Sequence, residues 1–143
     1  KVASGDRTSL AALYATGIVT ASPIDGVVTK TATGSNTTPT LAGGTASVSG
    51  NLNVAFVGWS NSAVTTYTQD TTHNWVTPFV TDTALNLAGI GGGNQVNAGT
   101  SGITFAPVLS AVRTWSAFLV AFKAAVVSAT RPNLLNLLGV GAG

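Results

Sequence analysis

The sequence predicts an all-β chain, a jelly-roll-like β-sandwich with a short apolar C-terminal arm, and three observations predict it. Short runs rich in Val, Thr, Phe and Ala are separated by clusters of Gly, Asn, Ser and Pro, which is the punctuation of strands and turns. Charged residues make up 7% of the 143 residues, against about 25% in an ordinary soluble domain, while 17 positions are Gly. The candidate strands recur at the interval expected of a sandwich or jelly roll.

In chain order the strands are expected near Ser9–Ala15, Gly26–Thr33, Thr45–Ser49, Leu52–Trp59, Asn74–Val80, Ala84–Ala88, Gly102–Phe105 and Arg113–Lys123. The first is rich in Ala and Leu, so a helix is its alternative. Thr33–Pro39, Ser60–Ala63, Gln69–His73 and Gly89–Gly102 are expected to be turns and loops. Within the last of these, Gly89–Asn94 superficially resembles a phosphate-cradling loop. It lacks the Gly-Lys-Ser/Thr ending, and a flexible loop with positive-φ residues is the expectation.

Two strands carry more information. Leu52–Trp59 is almost wholly apolar, as a central strand covered on both faces is. In Arg113–Lys123 the ends are polar and the middle is apolar on both faces. Trp115, Ala117, Leu119 and Ala121 share one side, and Phe118, Val120 and Phe122 share the other. One face is expected to meet an opposing sheet. The other is expected to meet a neighbouring element or another subunit.

The chain divides into a sandwich domain, 1–124, and a C-terminal arm, 125–143. Asn133-Leu134-Leu135-Asn136-Leu137-Leu138 follows Pro132 and precedes a glycine-rich end. Leu134, Leu135, Leu137 and Leu138 are the candidate assembly residues, because four leucines beyond the last strand have no obvious place in a finished sandwich; a tail folded back on its own domain is the alternative. There is no Met, even at position 1, so a processed or trimmed chain, or part of a longer one, is expected.

Charge excludes several function classes. The net charge is +2, and Lys1, Arg7, Lys30, Arg113, Lys123 and Arg131 are scattered. Nucleic-acid binding needs a basic stripe to displace counterions, so it is not expected. The longest apolar stretch, Ala117–Val127, contains Lys123 and falls short of the roughly 20 residues of a spanning helix, so no membrane partner is expected. Without Cys there is neither a disulfide framework nor a thiolate site.

Groups able to move protons are few. His73 is the single histidine, and the carboxylates are Asp6, Asp25, Asp70 and Asp82. Asp70 and His73 are close enough in sequence to meet in a turn, but no Gly-x-Ser-x-Gly elbow supplies a nucleophile. One His with no Cys rules out a closed zinc site within one chain, and no calcium loop is present. No enzyme activity, metal or other cofactor is therefore expected. Asn36-Thr37-Thr38 is an acceptor sequon of little weight in a Thr-rich chain.

Several pieces together resemble a β-sandwich domain recurrent in bacteriophage virion proteins and bacterial surface proteins. They are Lys1–Asp6, Ala12–Gly17, Ser22–Asp25, Ala32–Ser35 with Pro39, Leu52–Gly58, and the closing Trp115-Ser116-Ala117-Phe118-Leu119-Val120-Ala121-Phe122-Lys123. The similarity runs with gaps from Lys1 to about Ala124 and leaves the leucine-rich arm outside. It implies a virion structural protein, a capsid-decoration or head- or tail-fibre component. Such a protein works by assembly into a homo-oligomer and onto other virion proteins. The rival expectation is a secreted carbohydrate-binding or adhesion module that stacks glycans on Trp59, Tyr67 or Trp75; core packing of those rings is the plainer reading.

Overall fold

Asp25 shapes the chain on either side of the first two strands. Its carbonyl accepts from the N–H groups of Val28 and Thr29 at 3.2 and 3.1 Å, so 26–29 closes into a turn instead of extending. Strand β1 then runs from Lys30 to Asn36. The carboxylate Oδ2 of Asp25 accepts from the Ser47 N–H at 2.7 Å and holds that residue in a loop. Strand β2 accordingly lies at Leu41–Thr45, upstream of the expected Thr45–Ser49. The remaining strands are β3 (Leu52–Ser60), β4 (Tyr67–Thr68), β5 (Val76–Thr81), β6 (Ala88–Val96), β7 (Gly102–Phe105), β8 (Val108–Leu109) and β9 (Arg113–Phe122). The structure is a computed structural model describing residues 15–60, 65–81, 88–97 and 99–125. Most of the expected strands at Ser9–Ala15 and Ala84–Ala88 lie outside the described residues, as do Leu134, Leu135, Leu137 and Leu138.

The fold is all-β. Five strands form an antiparallel sheet in the order β1-β9-β3-β6-β5, while β2–β7 and β4–β8 are separate two-stranded ribbons. Leu41, Ile103, Phe105 and Leu109 of the ribbons join Ala55, Val57, Trp59, Trp115, Ala117 and Leu119 of the sheet in one core. The ribbons therefore cover one face of the sheet. Pro78 fits this order, since β5 is an edge strand and one side of it has no ladder to break.

The expectation for Gly89–Asn94 needs correction. This segment is not a positive-φ loop but the middle of β6, paired with β3 from Ser60↔Ala88 to Leu52↔Val96. Among the described residues the positive-φ glycines are Gly17 and Gly50. The reason lies across the sheet. Register places Gly34, Trp115, Trp59 and Gly89 in one row over β1, β9, β3 and β6. A Cβ at Gly34 would lie 2.6 Å from the Trp115 ring, and one at Gly89 would collide with the Trp59 indole. Gly91 makes room in the same way for Tyr67, whose ring a Cβ would meet at 2.6 Å. The glycines that look like loop formers are the floor on which the aromatics rest. The strands β4 and β8 were unexpected because two residues are too few to show a period.

Candidate functional site

Three features qualify as sites: the turn carrying Asp70 and His73, the Asp25 cluster, and the outer face of the large sheet. The first is built from the segment after β4. Asn74 adopts φ 61°, its N–H donates to the Thr71 carbonyl at 3.2 Å, and the Trp75 N–H donates to the Asp70 carbonyl at 3.3 Å. This tight turn brings Asp70 and His73 together, with imidazole Nδ1 2.7 Å from Oδ2 and 2.9 Å from Oδ1. A carboxylate only accepts, so Nδ1 is the donor in this contact. Asp70 is buried and also accepts the N–H groups of His73 at 3.2 Å and of Ala106 at 2.7 Å. The Ala106 bond ties the turn to the segment between β7 and β8.

His73 borders a polar cavity of about 360 Å³, with Gln95, Asn97, Ser101 and Thr104 among its walls. Among the described residues no Ser or Thr hydroxyl is hydrogen-bonded to the His73 ring. The pair thus has the base and the orienting acid of a triad without a hydroxyl engaged by the base. The acid is shared with backbone donors, which makes Asp70 a lock on the turn. No group of three or more His, Cys, Asp or Glu able to hold a metal occurs among the described residues.

Asp25, which sequence reasoning counted only as one of four carboxylates, is more heavily engaged than Asp70. Its Oδ2 accepts from Ser47 N–H, Ser47 Oγ at 2.6 Å and Asn51 Nδ2 at 2.9 Å, and its Oδ1 from Val27 N–H at 3.3 Å. Burial alone pushes a carboxyl pKa up. Here the hydrogen bonds from Ser47, Asn51 and Val27 outweigh it and hold Asp25 below the usual carboxylate range. Tyr67 moves the other way, since burial and the nearby Asp70 carboxylate push its phenol well above its ordinary value.

The three rings expected to serve as platforms are engaged in packing. Trp59 and Trp75 are each 2% exposed, and the Tyr67 ring stacks on Trp59 at 6.0 Å and 5°. Trp75 packs edge-on to Phe105 at 4.9 Å and donates from Nε1 to the Thr104 carbonyl at 2.6 Å. Asn36 of the sequon is likewise employed in structure: its Oδ1 accepts from Trp115 Nε1 and from the Thr38 N–H, both at 3.0 Å.

The outer sheet face is apolar where β3 meets β9. Register sets Leu52 opposite Phe122, Val54 opposite Val120 and Phe56 opposite Phe118, with the last two rings stacked at 4.8 Å. The segment 15–25 runs beside the end of β9. Asp25 N–H donates to Ala121, Lys123 N–H to Pro23, and Val19 N–H to the Lys123 carbonyl, at 2.8, 2.8 and 3.1 Å. Ile18, Val19 and Pro23 become one wall of a groove of about 470 Å³ whose floor is Leu52, Val54, Val120 and Phe122. Phe118 remains 42% exposed at its margin, and Val96 at the end of β6 is 66% exposed. Period-two reading placed Phe118, Val120 and Phe122 together; it did not show that the ribbons cover only the opposite face.

Comparison with family models, curated proteins and solved structures finds no match to this chain. Among the described residues no helix is long and apolar enough to cross a membrane.

Proposed function

We propose that this chain is a structural protein of a bacteriophage virion, a jelly-roll-like decoration or fibre component that works by assembly into a homo-oligomer and onto other virion proteins, without catalysis. The observation that carries this reading is the apolar groove on the outer face of the β3–β9 pair. Its lining is apolar throughout, from the buried Val54 to Phe118 at 42% exposure, and a rimmed apolar groove of this kind marks an interaction site. The very low charge suits surfaces buried between subunits, where charged residues are depleted. The resemblance points the same way, because two of its segments, Leu52–Gly58 and Trp115–Lys123, supply the floor residues Leu52, Val54, Val120 and Phe122. A carbohydrate-binding reading loses its proposed stacking platforms, since Trp59 and Trp75 lie in the core.

The test is sedimentation of the wild type and of Val120→Asp, together with immunogold labelling of the phage particles that carry the chain. The reading expects an oligomer that Val120→Asp dissociates and labelling at regular positions on the particle. A wild type that stays monomeric at all concentrations, and particles free of label, overturn it.

A further inference from the structure

We propose that the groove between segment 15–25 and the β3–β9 floor receives the leucine segment 133–138 of a neighbouring copy, so that subunits are linked by exchanged C-terminal arms; this rests on the assembly reading above. Three observations favour that occupant. The first is chemical fit. Ile18, Val19, Leu52, Val54, Val120 and Phe122 line the groove without a charged group. Leu134, Leu135, Leu137 and Leu138 bring no charge either, the nearest being Arg131.

The second observation is reach. The described chain ends at Ala125, at the rim of the groove, where Ala124 bridges Ile18 and the Ala125 N–H donates to the Gly17 carbonyl at 2.7 Å. The seven intervening residues 126–132 span up to about 25 Å when extended, enough to cross to an adjoining subunit. The third is direction. β9 passes along the groove floor through Phe118, Val120 and Phe122, and its continuation stays paired with segment 15–25 through Ala125. The backbone is therefore heading off the end of its own groove.

The chain has no cysteine, so engineered thiols report cleanly. Val120→Cys and Leu135→Cys are co-expressed on separately tagged full-length copies and oxidised. The expected result is a disulfide-linked pair containing one copy of each, at least tenfold above either variant alone. The double variant Val120→Cys/Leu135→Cys should link between copies, and a link confined to one polypeptide overturns the exchange. A Leu13→Cys copy that captures Val120→Cys in place of Leu135→Cys also overturns it, by giving the groove to the N-terminal stretch. Sedimentation separates the two claims. An oligomer without the 120–135 link overturns only the arm exchange, whereas a monomeric wild type overturns the assembly reading as well.

Discussion

Trp59 and Trp115 stand directly opposite each other in the β3–β9 ladder, and each indole lies over a glycine on the next strand outward, Gly89 and Gly34. Two large side chains at adjacent positions fit beneath the ribbons only because their outer neighbours have no side chain. The Gly-Trp-Trp-Gly row makes the width of the core depend on glycine at positions whose backbone needs no special φ.

Gly89→Ala therefore forces a methyl group into the Trp59 ring. Overpacking of this kind costs about 1–3 kcal/mol. A chemical denaturation series should show that loss for Gly89→Ala, while Gly99→Ala, where a Cβ meets nothing within 4 Å, should differ little from wild type.

Asp25 makes stability fall in acid. Its folded pKa lies below the unfolded value of about 3.9, so its contribution is fully present above that pH and is lost as pH drops through the folded value. Melting temperature measured from pH 7 to pH 2 should decline below about pH 4, and Asp25→Asn should flatten that limb while lowering stability at pH 7. Asp25→Ala should be worse, since each buried donor left without a partner costs roughly 1–3 kcal/mol.

Asp70 and His73 should separate cleanly on mutation. Asp70→Ala strips the acceptor from the His73 and Ala106 N–H groups and should lower stability by about 1–3 kcal/mol. His73→Ala removes a ring at 41% exposure and should leave the melt and oligomer size nearly unchanged. A hydrolytic activity that disappears in His73→Ala would contradict a non-catalytic protein.

Asn36→Ala tests whether the sequon asparagine is a structural residue. Loss of its Oδ1 leaves the Trp115 indole N–H buried without an acceptor, at a cost of roughly 1–3 kcal/mol. Asn36→Asp keeps the acceptor and should recover most of the loss in a thermal melt, whether or not the site is ever glycosylated.

The sequence by itself determined the all-β class, the extent of β3, β7 and β9 to within a residue, and the two faces of β9. These follow from local physics: a period of two and β-branched or aromatic residues bounded by turn formers. It also placed Asp70 and His73 in one turn, because three residues are few enough to close locally. Tertiary structure alone decided the rest. Gly89–Asn94 is a strand because Trp59, Tyr67 and Gln69 from distant segments fill the space above it, and nothing in its own composition favours extension. Asp25 keeps Ser47, 22 positions away, in a loop beyond the end of β2. Which face of β9 stays open depends on where the ribbons settle. Each of these outcomes is a contact between residues remote in sequence, and a local pattern carries no record of its partner across the sheet.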